Sequence, residues 1–462
     1  MRPENNPSLE TTGFFHQIFR SIFPDPLIPK SDQERKRYLL KNLILHFRPT
    51  TVPEKTLNFS LTWGLGGMAA VIIFLQLGTG VLLKFVYVPT PLGAYKSILV
   101  LNNEVIFGQL IRNIHHWCAN FLVLIVFLHM LRVFFTGAFH LPRQFNWIIG
   151  LVLFGLVLTA NFTGYLLPYD QLAYWAVTVS TGMLEYIPAV GNRLQEIIQG
   201  GNEIGPATLN IFYAIHTAIV PMSLIILMAF HFWRIRKSGG LVVPRSQGEK
   251  IEEKPVRVMT LPHLLLREVA VALVLIAFVM VVSVFFDVPL GDSANPGLSP
   301  NPTKAPWYFA GLQELLLHLH PLFAVFIIPL ILVFALMGIP YLKYNTNTEG
   351  IWFASVKGRR MALIAGFIAI VFAPVGILAD EYLIDFAVGL IGTSTFFSNG
   401  LIPFAFILFG CAGFYILIKH RYSATNNEAV QALFVLILCV FLILTITGIW
   451  FRGPGMKLTW PF

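Results

Sequence analysis

Four histidines lie inside two long apolar stretches of the sequence. His115 and His129 are 14 residues apart in one stretch, and His216 and His231 are 15 residues apart in the other. At about 100° and 1.5 Å per helical residue, each pair lies within roughly 40–60° of one helix face and is separated by about 21–22 Å along the axis. Imidazole is a common axial ligand of haem iron. The spacing therefore predicts two haems held by histidines, one in each half of a membrane about 30 Å thick.

Two glycine pairs repeat this spacing in the neighbouring apolar stretches. Gly66 and Gly80 are 14 residues apart, and so are Gly150 and Gly164. A macrocycle clamped between two helices needs the adjacent helices to approach without side chains, which glycine permits. We interpret the glycines as haem-binding positions, with ordinary small-residue helix packing as the alternative.

Two arginines flank the first histidine pair by three residues on each side. Arg112 and Arg132 would pair with the carboxylates of haem propionates. Arg132 could instead anchor a helix end on the positively charged side of a membrane. His116 has no partner at ligand spacing, and we assign it to packing or to the haem edge.

The composition indicates a membrane protein. The 462 residues are 56% hydrophobic and 12% charged, against about 25% charged residues in soluble domains. The three cysteines, Cys118, Cys411 and Cys439, form no C-x-x-C pattern, so covalent haem attachment and zinc sites have no support.

The predicted fold is an all-α polytopic membrane protein with about nine spans, because each apolar run is long enough to cross a bilayer. The runs lie at 61–88, 108–136, 145–166, 208–235, 264–287, 320–342, 360–379, 400–418 and 429–451. Short surface helices are expected within 171–205, and an interfacial helix within 33–48. A charged linker at 241–261 is the best boundary between two halves of the chain.

The basic residues predict the orientation. With the N-terminus on the cytoplasmic (n) side, 25 of the 32 lysines and arginines fall on that side, as the positive-inside rule requires. This accounts for the net charge of +9 without a nucleic-acid partner. Spans two and four then run the same way, so His115 and His216 meet near the opposite (p) side, and His129 and His231 meet near the n side.

Several motifs carry a resemblance to a known family. The stretches R-N-I-H-H-W, L-H-M-L-R-V, T-G-Y-L-L-P-Y-D-Q, F-Y-A-I-H-T and H-F-W-R-I-R-K resemble cytochrome b of the quinol-oxidising cytochrome bc complexes. The 15-residue histidine spacing is similar to the plastid-type branch, in which a four-span cytochrome b is separate from a three-span subunit IV. The resemblance divides the chain into 1–57, an n-side arm; 58–240, a di-haem bundle; 241–261, the linker; 262–345, a subunit IV-like quinol-site half; and 346–462, additional spans.

The resemblance implies a Q cycle in an energy-transducing inner membrane. Quinol would be oxidised near the p side, with one electron passing to a Rieske iron–sulfur protein and a c-type cytochrome. The other electron would pass through the two b-type haems to a quinone near the n side, with proton translocation. The family also implies a homodimeric complex.

The quinol-site motif departs from the family pattern. The family has P-E-W-Y, whose glutamate takes a quinol proton, whereas this chain has A-P-W-Y, with Pro306 at the glutamate position before Trp307 and Tyr308. Proline has no group that accepts a proton, so another acceptor is required.

We propose Glu314 as this acceptor, with His318 or His320, because it lies two turns farther along a predicted helix. The alternative for Glu314 is a polar residue on an amphipathic surface helix. Asp170, in L-P-Y-D-Q, is a rival acceptor.

Other positions complete the expectations. Arg236 and Lys237 align with the family's basic residues at the n-side quinone site, and could equally be helix anchors. The plastid-type form attaches a third haem to a cysteine where this chain has Gly64, so no covalent third haem is expected. The extra spans at 400–418 and 429–451 would be docking surfaces for partners or for lipid.

Two alternative functions remain open. A di-haem cytochrome b could pass quinol electrons to a multihaem partner without bifurcation, which the absent P-E-W-Y glutamate favours. A transporter using the histidines as a proton relay would bind no haem.

Overall fold

The computed structural model describes residues 30–41, 49–250, 254–344, 347–384 and 393–460. Within these residues, nine helices are long and apolar enough to cross a membrane, which confirms the predicted all-α polytopic fold. The spans, numbered one to nine below, are Leu65–Lys84, Gly108–Phe135, Gln144–Leu166, Pro206–Lys237, Thr260–Phe285, Leu322–Tyr341, Val356–Leu383, Phe396–Arg421 and Asn426–Trp450. The predicted ends agree with these to within four residues, because the length of an apolar run sets the length of a span.

Shorter helices connect the spans. They are Asp32–Lys41, Phe59–Thr62, Pro91–Asn103, Gln171–Gly182, Gly191–Gln199 and Trp307–His318. The short helices expected within 171–205 are present. The helix expected within 33–48 is present as Asp32–Lys41, and residues 42–48 lie outside the described residues.

The helix Pro91–Asn103 was missed, although its start carries a clear signal. Thr90 accepts a hydrogen bond from the backbone of Gly93, and Pro91 takes the first helical position. An N-cap threonine followed by proline is a common way to begin a helix.

A two-stranded antiparallel sheet is also present among the described residues. Strand β1 (Thr51–Pro53) pairs with β2 (Arg257–Met259), with Thr51 opposite Met259. Three-residue strands carry too little periodicity to be predicted. The sheet joins the segment before span one to the segment before span five.

Buried side chains form one cluster within spans one to five, another around spans seven to nine, and a third that joins spans two and three to span six. Spans one to five share one cluster that includes Ile72, Cys118, Val157, Leu224 and Val279. Spans seven to nine, with the loop before span nine, share another, formed by Met361, Ala365, Phe414, Ile418, Ala424, Ala429 and Ala432. The histidines therefore lie in a bundle with its own core.

Candidate haem and quinol sites

The p-side histidines face each other between spans two and four. The ring centroids of His115 and His216 are 6.1 Å apart, and the ring planes are inclined by 74°. A metal ion bound by one nitrogen of each ring, at about 2 Å per bond, fits a separation of this size. The donor set at this position is therefore suited to an axially ligated haem iron.

Hydrogen bonds select the same tautomer for both p-side imidazoles. His216 Nδ1 lies 3.0 Å from the Ala160 carbonyl oxygen, which only accepts, so Nδ1 carries the proton. The Thr79 hydroxyl donates to the Leu75 carbonyl at 2.7 Å and so accepts from His115 Nδ1 at 2.9 Å. In each ring the Nε2 lone pair is left for a metal, which is the arrangement of metal-binding histidines generally.

A π-helical turn explains the unequal histidine spacings. Residues Ile215–Ile219 form a π turn that includes His216. Such a turn adds one residue relative to the regular helix. It absorbs the extra residue in the 15-residue interval to His231, so that interval matches the 14 residues between His115 and His129.

Each of the four predicted glycines lies against the ring of a different histidine. A Cβ atom would lie 3.3 Å from the His129 ring at Gly66, 3.3 Å from His115 at Gly80, 3.7 Å from His231 at Gly150 and 2.5 Å from His216 at Gly164. The glycine spacing alone predicts room for the macrocycle. The structure places them behind the imidazole rings, so the absence of a side chain admits the histidine itself.

The n-side histidines line one cavity with polar side chains. His129 and His231 share its wall with Arg132, Arg143 and Asn146. Arg132 Nη2 and Asn146 Oδ1 are buried without a hydrogen-bond partner among the described residues. A buried, unpaired guanidinium nitrogen is costly unless a group such as a carboxylate engages it. The wall therefore fits a haem whose propionate meets Arg132.

The structure gives Arg112 a second role. Its two terminal nitrogens donate to the carbonyls of Val288 and Pro289, each at 2.9 Å. Each of these nitrogens keeps another N–H. Arg112 therefore fixes the loop after span five and can still bind a propionate.

The predicted n-side basic pair lies outside the cavity lining. Arg236 and Lys237 are exposed at the end of span four, and Lys237 Nζ lies 5.7 Å from the centroid of the Trp233 ring. The segment 240–242, just beyond them, lines the cavity instead. Arg143, which sequence reasoning missed, lines it too and pairs with Glu349.

The A-P-W-Y motif begins a helix near the part of span two that is predicted to lie toward the p side. Pro306 is the N-cap residue of Trp307–His318. Trp307 Nε1 donates to Asn120 Oδ1 of span two at 2.7 Å, and Tyr308 packs against the core of spans one to five. The motif therefore lies between the di-haem bundle and the C-terminal part.

Asp170 serves as a helix cap. Its Oδ1 accepts from the backbone of Ala173 at 2.9 Å, and its Oδ2 accepts from the backbone of Gly291 at 3.1 Å. One oxygen of Asp170 thus caps the helix Gln171–Gly182, and the other holds the loop after span five onto that helix.

Glu314 lies fully buried in an ion pair with Arg452. Arg452 Nη2 and Nε approach Glu314 Oε1 and Oε2 at 2.6 and 2.9 Å, and His318 Nε2 lies 3.2 Å from Oε1. Burial raises the pKa of Glu314, but hydrogen bonds from His318 and Arg452 outweigh it and hold the pKa below its usual range. His320 lies elsewhere, with its ring near Tyr186 and Phe396.

Two carboxylates from span seven extend this network. His318 Nδ1 lies 2.5 Å from Asp380 Oδ2, and Arg452 Nη1 donates to Glu381 Oε2 at 2.8 Å. Burial lowers the pKa of His318, but hydrogen bonds to Asp380 and Glu314 raise it overall to about 9. Sequence reasoning missed Asp380, Glu381 and Arg452, since no spacing links them to Glu314.

The fold and the site together define a class: a polytopic helical membrane protein with two buried histidine pairs in its first four spans. Residues 51–239 match the family model described as cytochrome b/b6/petB. Cytochrome b6 of Heliomicrobium gestii is 44% identical over 188 residues, which is 41% of this chain and 87% of that protein. Cytochrome b6 of Synechococcus elongatus is 43% identical over 182 residues, 39% of this chain and 85% of that protein. The chain belongs to the cytochrome b/b6 family, which confirms the resemblance, and that family implies b-type haems.

The fold of the rest of the chain is also shared with a solved structure. A chain described as hyperthermophilic respiratory Complex III matches with a TM-score of 0.62, covering 89% of this chain and 94% of that one. The two sequences are 22% identical, so this likeness shows the fold alone.

Proposed function

We propose that this chain is the di-haem cytochrome b subunit of a quinol oxidoreductase complex. His115 and His216 would hold the p-side haem, and His129 and His231 the n-side haem. The observation that carries the proposal is the pair of p-side imidazoles, 6.1 Å apart, each with Nδ1 hydrogen-bonded. When bound, the haems supply one-electron transfer.

The chain's own residues would orient the cofactors and stabilise their charges. Thr79 and the Ala160 carbonyl hold the p-side imidazoles in one tautomer. Arg132 and Arg112 would neutralise propionates, and the glycines of spans one and three would keep the imidazoles seated. Arg236 and Lys237 would attract an anionic group at the n-side surface, near a quinone site.

Quinol oxidation would take place on the p side, beside the helix Trp307–His318. Trp307 and Tyr308 would shape the quinol pocket. The carboxylate of Glu314, with Asp170 as the rival, would accept a proton. An ionised carboxylate is the state required for this role, and its hydrogen bonds hold Glu314 in that state.

The assembly and electron path follow the family pattern in this proposal. Electrons would leave to a Rieske iron–sulfur protein and a c-type cytochrome, and through the haems to an n-side quinone. The complex would be a homodimer in an inner membrane, with the N-terminus on the cytoplasmic side. The proline at the P-E-W-Y glutamate position, Pro306, supports a second candidate: delivery of both electrons to a multihaem partner without bifurcation.

Haem reduction by quinol in the purified complex tests the proposal. We expect two haems per chain by pyridine haemochrome assay, both reduced anaerobically by a menaquinol or ubiquinol analogue. A complex without haem, or with haem that only dithionite reduces, would contradict the function. A pulse of ferricyanide after quinol separates the two candidates, because only a bifurcating site reduces more b haem when oxidant is added.

A further inference from the structure

We propose that spans seven and nine complete the quinol-oxidation site, with Arg452, at the end of span nine, as a positioning residue that fixes the charge state of Glu314. This inference rests on the proposed function. It concerns residues 346–462, which the family model does not cover. It gives span nine a role in the chemistry, whereas the sequence left the run at 429–451 as a docking surface for partners or for lipid.

Span nine packs directly against the helix Trp307–His318, the proposed quinol-site helix. A Cβ atom at Gly311 would lie 2.5 Å from Thr445 Oγ1, and one at Gly448 would lie 2.8 Å from the Ala310 carbonyl oxygen. Lys304 Nζ also donates to the Ile449 carbonyl at 2.8 Å. Contacts this close leave no room for lipid or a side chain between the two helices, so the end of span nine is held in register with Glu314.

The ion pair between Glu314 and Arg452 is almost completely removed from solvent. The side chains are 0% and 1% exposed, respectively. A buried carboxylate without a partner takes up a proton instead of remaining charged. Arg452 is the only group that offers Glu314 two parallel N–H donors among the described residues, and this bidentate geometry is the strong form of the pair.

The remaining charged groups around Glu314 become more exposed with distance from it. His318 is 13% exposed, Asp380 20% and Glu381 22%. Three carboxylates thus share two cationic side chains. Glu381 competes for the same guanidinium, so its charge opposes the effect of Arg452 on Glu314.

Arg452 and Glu381 carry opposite charges, so removing each one should shift the pH dependence of haem reduction by quinol in opposite directions. If ionised Glu314 accepts the quinol proton, the rate of quinol-driven haem reduction should decrease at pH values below the pKa of Glu314. This decrease forms the acid limb of the pH profile. Arg452→Gln removes a cation, so this acid limb should move to higher pH by about one unit. Glu381→Gln removes a competing anion, so the limb should move to lower pH. Arg452→Lys keeps the charge and should restore most of the native profile.

The experiment uses the whole purified complex, with haem content checked for each variant. Asp292→Asn, an exposed carboxylate outside the network on the same side, is the matched control and should leave the limb in place. An Arg452→Gln complex that keeps its haems and is slower at every pH, with an unmoved limb, would show a structural role only and overturn the inference.

Two further outcomes remain decisive. If Arg452→Gln loses its haems, Glu381→Gln decides: an unmoved limb overturns the inference, and a shift to lower pH supports it. If quinol fails to reduce the haems of the native complex, the proposed function itself fails, and that result is visible before any variant is compared.

Discussion

The proposed di-haem bundle, spans one to four, and the proposed quinol region, the helix Trp307–His318 with its ionic partners, bury polar groups in different ways. In the bundle, the histidines recur at 14 and 15 residues along two helices, and glycines of the adjacent helices lie behind their rings. In the quinol region, Glu314 meets Arg452 across 138 residues of sequence. A candidate cofactor site that follows the helical period is therefore visible in a sequence, while a charge network assembled from the ends of distant helices is not.

The two regions also differ in what would disrupt them. The p-side imidazoles are held by a hydroxyl and a carbonyl, and they have no ionic partner among the described residues. The packing around the rings therefore decides whether they can reach a metal. The quinol region depends on matched charges, since Glu314, Arg452 and His318 are bound mainly by ion pairs. Shape changes should therefore damage the first region, and charge changes the second.

Removing one histidine should have the largest effect. His129→Leu takes away one of the two histidines proposed to hold the n-side haem. We expect haem content to fall by about half, with the p-side haem still present in low-temperature spectra. Because each pair bridges spans two and four independently, the loss should stay local.

His116→Leu provides the control for this experiment. His116 lies next to His115 with its ring near Trp117 and outside both pairs, so both haems should remain. Retention of both haems in His129→Leu would refute the pairing.

Replacement by alanine should have different effects at Gly164 and Gly150, although both glycines lie in span three at predicted haem-binding positions. At Gly164 a Cβ atom would lie 2.5 Å from the His216 ring, while at Gly150 it would lie 3.7 Å from His231, an ordinary contact. Gly164→Ala should therefore displace the p-side imidazole at a cost of about 1–3 kcal/mol, and Gly150→Ala should cost much less. Thermal loss of the haem bands and the p-side midpoint potential measure the difference. Equal effects of the two substitutions would show that the rings have room to adjust.

The sequence predicted the bundle well because its determinants are local and periodic. Span lengths follow from apolar runs, and the histidine pairs follow from the rotation per residue. The regular helical period does not predict the π turn around His216. In a regular helix, the 15-residue interval from His216 to His231 would not match the 14-residue interval from His115 to His129. The role of the glycines also needed coordinates, because spacing alone does not distinguish a macrocycle from an imidazole ring.

The quinol region was predicted only in part, for a different reason. The A-P-W-Y motif and Glu314 were found, but the partners of Glu314 come from the ends of spans seven and nine. Arg452 follows an apolar run and reads as a helix anchor. Only the packing of span nine on the helix Trp307–His318 places the guanidinium of Arg452 beside the buried carboxylate of Glu314.

The smallest predicted effect is a pH dependence of stability in the quinol region. The pKa of His318 is raised from 6.5 to about 9 in the folded state. Its contribution to the free energy of unfolding is therefore fully present below pH 6.5 and is lost as the pH rises through 9. The contribution is about 3 kcal/mol at most. Thermal unfolding of the complex at pH 6 and pH 9.5 should show this loss in the native chain and in His263→Gln, an exposed histidine outside the network, but a smaller loss in His318→Gln. If His318→Gln lost as much stability as the native chain, the charge on His318 would not hold the C-terminal spans to the quinol-site helix.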